Sequence, residues 1–255
     1  MGVNDFMLIG DPAPTQGDLH FSVLGIPVRV HPFFWVIAVL LGLRSPNAQA
    51  LIVWVIAVFV GVLVHEMGHA VVMRRFGFAP SITLYGLGGM ASYGAGAYQP
   101  RSPGTWGQVL ISAAGPIAGF LLAASLVLVL TLAGVDVGYF IGMPIGLTAY
   151  VLESVGHPMF RALLNSLLFV TIAYGILNLM PIYPLDGGQI ARELFLRYAP
   201  RNGIRHSLML SIIVGTGLAV LGLLQGSMFI GILFGYLAFV NFQTLQRYQS
   251  PGRWQ

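Results

Sequence analysis

An all-α polytopic membrane protein with about six transmembrane helices is what this chain predicts. Three observations carry that expectation: its apolar content, its shortage of charge and the length of its apolar runs. Of 255 residues, 56% are hydrophobic and only 8% are charged, with a mean hydropathy of +0.82. A soluble domain carries about 25% charged residues. A membrane span needs about 20 apolar residues, and six segments meet or approach that length.

Residues 1–27 read as a cytoplasmic N-terminal tail. They contain Asp5, Asp11 and Asp18 and no basic stretch ahead of an apolar core, so no cleavable signal peptide is expected. The first span is placed near 31–44. It is short, its apolar run reaches back to Val28, and it ends at Arg44-Ser45-Pro46-Asn47. The second covers 50–74. Residues 76–106 then form the one long connection between spans. Within it, Ser81-Ile82-Thr83-Leu84-Tyr85 and Met90-Ala91-Ser92-Tyr93 flank a Gly-rich turn, which predicts a small β-hairpin at the membrane surface. An exposed edge there, around residues 82–84, could accept an extended peptide. The alternative is a Gly-rich connector with no ligand.

The third span is placed at 107–133. Segment 137–152 is apolar but broken by Gly and Pro, which suggests a re-entrant or interfacial piece. Further spans follow at 161–181, 206–224 and 227–245. The organisation expected is one integral-membrane domain over 1–255, with core spans in 28–192 and two additional C-terminal spans in 193–255.

Charge orients this arrangement. There is no lysine, so the net charge of +4 rests on arginine. With the N-terminus inside, Arg29, Arg74, Arg75, Arg101, Arg192, Arg197, Arg201, Arg205, Arg247 and Arg253 fall on the inner face, and Arg44 and Arg161 on the outer. That bias predicts cytoplasmic termini. Arginines scattered at helix ends do not make a nucleic-acid surface. Cysteine is absent, so disulfides and thiolate metal ligands are excluded, and a zinc ion would need His and carboxylate ligands.

The chemistry is concentrated in His65-Glu66-Met67-Gly68-His69, within the apolar run 51–73. Ionisable residues at membrane depth are costly, which makes them functional candidates. Residues four apart share a helix face, so His65 and His69 can present imidazoles to one point, with Glu66 beside them. Two neutral imidazoles are good zinc ligands, and an adjacent Glu can take a proton from water. The competing reading is a pair of buried histidines hydrogen-bonded to other helices. On the predicted topology His69 is about 7–8 Å along the helix from Arg74, so the site lies nearer the cytoplasmic face. A third ligand is expected, and Asp186 emerges at that same face, in Asn178-Leu179-Met180-Pro181-Ile182-Tyr183-Pro184-Leu185-Asp186-Gly187-Gly188. An interfacial carboxylate or helix cap is its alternative role.

His65-Glu66-x-x-His69 on one span, with Asn178-x-x-Pro181-x-x-Pro184-Leu185-Asp186-Gly187-Gly188 near the end of a later one, resembles the site-2 protease family of intramembrane zinc metalloproteases. The resemblance runs from Pro27-Val28-Arg29-Val30-His31-Pro32 to about Arg192 and includes Ala114-Gly115-Pro116. It implies one zinc ion held by His65, His69 and Asp186, with Glu66 as general base. It also implies a role for Asn178 in positioning substrate or stabilising an oxyanion; an interhelical hydrogen bond is the other use of that side chain. Many members carry an Asn shortly after the third-span Gly-Pro. This chain has Ala118-Gly119 there, so that helix is assigned no catalytic side chain. No PDZ or CBS module is expected.

The implied activity is a zinc endopeptidase that cuts transmembrane or membrane-associated proteins near the cytoplasmic face of a prokaryotic inner membrane. Its implied partners are a transmembrane substrate and the lipid bilayer, without nucleic acid. A membrane zinc transporter or sensor using the same ligands is the alternative, as is a non-catalytic scaffold. A transporter needs ionisable residues through several spans, whereas here they cluster at one depth. A scaffold could dispense with Glu66, which is present. His31 reads as an interfacial residue, and Asn165 as an interhelical or loop polar group.

Overall fold

The computed structural model describes residues 12–86, 88–93, 103–142, 146–152 and 156–249. Arg101 and Arg253, whose membrane sides the sequence predicts, lie outside the described residues, as does part of the 76–106 connection. The described residues form two compact units.

The first unit begins with β1 (Leu19–Val23) and β2 (Ile26–Val30), an antiparallel hairpin turned at Leu24 and Gly25, both at positive φ. α1 (Pro32–Leu41) follows directly. His31 caps it, its ring Nδ1 accepting the Phe33 N–H, and Pro32 occupies the first helical position, where a missing N–H costs nothing. α2 (Ala48–Arg75) starts at Asn47, whose side chain accepts the Ala50 N–H, and ends in Arg74 and Arg75, charges that suit a helix C-terminus. β3 (Pro80–Tyr85) and β4 (Gly88–Tyr93) make the hairpin that the sequence predicts.

The strands join in one sheet ordered β1-β2-β3-β4, with β2 and β3 parallel through Val28 with Ile82 and Val30 with Leu84. Ile26, Val28 and Val30 alternate inward along β2 and meet Ile82, Leu84, Phe34, Ala38, Val58, Val62 and Ala70 in one apolar core. Because β2 precedes α1 and β3 follows α2, this pairing returns the chain to the level from which it set out. It also corrects the expected peptide-accepting edge. Residues 82–84 lie in β3, which is paired on both sides, so the edge strands are β1 and β4, and β4 is the edge beside β3.

Within the first predicted span the helix is shorter than expected. α1 has 10 residues, about 15 Å of helix, against about 30 Å of hydrocarbon. Residues 28–30, into which the span was expected to reach back, belong instead to the strand β2, and Gly42 with the turn before Asn47 ends the helix early. Among the described residues, five helices are long and apolar enough to cross a membrane: α2, α3 (Gly104–Leu132), α4 (Pro158–Asn178), α6 (Gly203–Leu224) and α7 (Met228–Gln249). The first unit takes most of α3 and α4 as far as Gly175. Between those two helices, the apolar segment broken by Gly and Pro is a second hairpin, β5 (Val137–Gly142) and β6 (Gly146–Val151). An open two-stranded edge cannot face hydrocarbon, and exposed Tyr139, Phe140 and Tyr150 suit an interfacial position. Asn165 ties this hairpin to α4 by accepting the Val151 N–H at 2.6 Å.

The second unit runs from Ile176 through α5 (Asp186–Tyr198), α6 and α7, and includes the first turns of α3. α6 and α7 approach closely where Gly215 faces Ala238 and Gly222 faces Ile230 and Gly231. Small residues at a seam allow such contact between membrane helices. At one end of the pair, Ile182 is fully buried among Ala219, Ile230, Phe234 and Leu237.

Candidate metal centre

α2 buries one stripe of its surface: Val58, Val62, His65, Glu66, His69 and Met73 recur at helical spacing on it. The three ionisable residues of the motif therefore face protein and are 2%, 3% and 6% exposed in chain order. The Nε2 atoms of His65 and His69 lie 3.2 Å apart, with the rings edge to face. Two nitrogens bound at 2.0–2.1 Å to one tetrahedral zinc are separated by about 3.3 Å. Helical spacing alone thus presets the pair for a single ion.

The backbone of α3 covers these imidazoles. A Cβ built on Gly115 would collide with Nε2 of His69 and would lie 2.7 Å from Nε2 of His65. Gly68 makes the matching approach from α2, against the Ala114 carbonyl and the Ala118 Cβ. Ala114-Gly115-Pro116 is therefore explained by space rather than by a reactive group. Gly115→Ala is expected to displace an imidazole and weaken metal uptake, read as loss of the visible bands of the cobalt-loaded protein. Unchanged bands would mean that the imidazole nitrogens do not face the metal.

Two further neighbours escaped the sequence reading. Tyr174 of α4 packs edge-on against the His65 ring, with centroids 4.7 Å apart, while its hydroxyl end lies against Gly88. A Cβ on Gly89 would collide with Glu66 Cγ and lie 2.9 Å from Oε1. The two glycines that open β4 thus let the edge strand run directly over the Glu66 carboxyl. A tyrosine in an apolar span is unremarkable by itself. Its only signal is its place one turn before Asn178, on the same helix.

Asp186 is the first residue of α5 and is 7% exposed. The N-cap residue is Leu185, so Asp186 is not the cap that the sequence left open. A helix N-terminus is where a negative side chain is favoured. Gly187 and Gly188 are required because the preceding loop folds back on this turn: a Cβ on either would strike backbone atoms of residues 179–183. His65, His69 and Asp186 are a buried group that could hold a metal ion. Two imidazoles and one carboxylate, without thiolate, are a donor set that suits zinc with a coordination position left open. Asn178, half-buried, ends α4 eight residues before Asp186.

The sequence model of peptidase family M50 matches residues 53–222. The chain is 28% identical over 218 residues to a zinc metalloprotease of Methanocaldococcus jannaschii, covering 84% of this chain and 55% of that protein. It is 30% identical over 203 residues to Rip3 of Mycobacterium tuberculosis, covering 76% and 45%. With stage IV sporulation protein FB of Bacillus subtilis it shares 27% identity over 228 residues, covering 87% and 67%. The chain thus spans about half the length of the first two relatives. Among solved structures, the site-2 protease from Methanocaldococcus jannaschii matches in fold with a TM-score of 0.55 and 23% identity, over 89% of this chain and 95% of that one.

Proposed function

The chain belongs to peptidase family M50, and from that premise we propose that it is a zinc endopeptidase cutting transmembrane or membrane-associated proteins near the cytoplasmic face of the bilayer. The observation that carries this reading is the buried His65 and His69 pair, with Nε2 atoms 3.2 Å apart and Glu66 beside it under the edge strand β4.

His65, His69 and Asp186 hold one zinc ion per chain. When bound, zinc supplies a Lewis acid for the peptide carbonyl and makes water more acidic. Glu66 accepts the proton of the attacking water and passes it to the leaving amine. Asn178 positions the substrate or stabilises the developing oxyanion. An intact helix hides its carbonyls in hydrogen bonds, so the substrate must be extended where it is cut. β4 offers an edge six residues long for such a strand, and Gly89 brings that edge onto Glu66. Residues 28–192 carry the chemistry, and the spans in 193–255 support it.

The membrane is a prokaryotic inner membrane with both termini cytoplasmic, a placement supported by the arginine distribution. The parallel pairing of β2 with β3 adds support, because it keeps the start of α1 and the end of α2 at one level.

The test is cleavage of a panel of transmembrane segments by purified protein in liposomes. Cleavage that stops with a zinc chelator and returns with added zinc is the expected result. Zinc-loaded protein that cuts nothing while carrying zinc across the bilayer would replace this reading with the transporter.

A further inference from the structure

Tyr183 lies three residues before Asp186, and neither of its backbone polar groups is satisfied by regular secondary structure. Its N–H donates to Ser211 Oγ of α6 at 2.9 Å, and its carbonyl accepts from Asn241 Nδ2 of α7 at 2.6 Å. Each side chain is itself braced. Ser211 Oγ donates to the Ser207 carbonyl at 2.9 Å, and Asn241 Nδ2 donates also to the Leu237 carbonyl at 2.8 Å. We propose that Ser211 and Asn241 are positioning residues that set the place of Asp186 by gripping the Tyr183 backbone from two helices. This rests on the reading of Asp186 as a metal ligand.

Pro181 and Pro184 contribute no N–H donors; Ile182 N–H donates to the Met180 carbonyl, Leu185 N–H to the Ile182 carbonyl and Gln189 Nε2 to the Pro184 carbonyl. Ile182 plugs the α6 and α7 core, and the Arg192 guanidinium lies over the Tyr183 ring, 5.3 Å from its centre. The grip on Tyr183 therefore fixes the segment both along and across the helix pair. The closely packed Gly and Ala seam makes that pair a stiff base, so α6 and α7 hold the ligand loop as one body.

Asn241 is an expensive way to fill a core position. It is 1% exposed, and among the described residues its Oδ1 accepts no hydrogen bond. A buried unsatisfied acceptor opposes folding, and an apolar side chain of similar size would not. Packing alone gives no reason for an amide here; the bond to the Tyr183 carbonyl does.

The experiment uses the full chain in detergent and compares wild type with Asn241→Leu, Ser211→Ala, Ser211→Thr and Asp186→Ala. Zinc affinity is read by competition with a chromophoric chelator, site geometry by the visible bands of the cobalt-loaded protein, and stability by the melting of the metal-free protein. Asn241→Leu is expected to melt at or above wild type yet bind zinc about 10–100-fold more weakly, the size of effect seen when a ligand loses an outer partner. Its cobalt bands should shift. Ser211→Ala should move the same way, and Ser211→Thr, which keeps a hydroxyl, should return towards wild type. Wild-type affinity and bands in both Asn241→Leu and Ser211→Ala would overturn the proposal, as would weaker binding only in step with lower melting. If Asp186→Ala releases zinc while Asn241→Leu does not, the positioning claim alone fails. If wild type binds no zinc, the ligand reading fails and takes this proposal with it.

Discussion

Glu66→Gln is expected to reduce peptide cleavage by about 10²–10⁴-fold, the usual worth of a positioned general acid-base, while zinc content stays at one per chain. Gln fills the space of Glu, so the contact with Gly89 and the neighbouring imidazoles survive. What it lacks is a basic oxygen able to take and return a proton. At 1.36 kcal/mol per tenfold, that loss is about 2.7–5.4 kcal/mol of transition-state stabilisation and none of ground-state binding. KM should therefore change little while kcat falls. Two assays decide it: steady-state cleavage in liposomes and metal analysis of the same preparation. Cleavage at the wild-type rate by metal-loaded Glu66→Gln would remove Glu66 from proton transfer. Loss of zinc along with activity would instead assign Glu66 to holding the site.

The parts of the site that were legible in the sequence are those governed by helical periodicity. His65 and His69 lie four apart in an apolar run, and a helix of that composition must place them on one face whatever else the chain does. The hairpin in the 76–106 connection was legible for the parallel reason that alternating residues around a Gly-rich turn have few other options.

Long-range pairing was not legible. Nothing local in residues 26–30 distinguishes a buried strand from the first turns of a span. Only their pairing with residues 82–84 does so, and that pairing both shortens α1 and turns β3 into an interior strand. The same blindness hides glycine contacts. Gly89 and Gly115 are ordinary in the sequence, and their meaning lies in the carboxyl and the imidazoles that a Cβ would strike. Ser211 and Asn241 belong to this class. Each is a polar residue between apolar neighbours in its helix, and the loop it holds is 28 or 58 residues away.

Asp186→Ala should abolish tight zinc binding, a larger loss than the ~10–100-fold expected for an outer partner, because it removes one of the three proposed ligands. Its effect on stability separates a ligand from a mere interfacial charge. A bound ion stabilises the folded state by mass action, by about 4 kcal/mol when free metal is 1,000 times its Kd. Wild-type protein should consequently melt higher with zinc and lower after chelation. Asp186→Ala should melt at one temperature under both conditions, close to that of chelated wild type. Loss of the charge at the start of α5 adds a difference worth about 0.3–1 kcal/mol at a helix N-terminus. A variant that still gains stability from zinc as wild type does would show that the third ligand lies elsewhere, and the His65 and His69 pair would then need another carboxylate or imidazole to complete it.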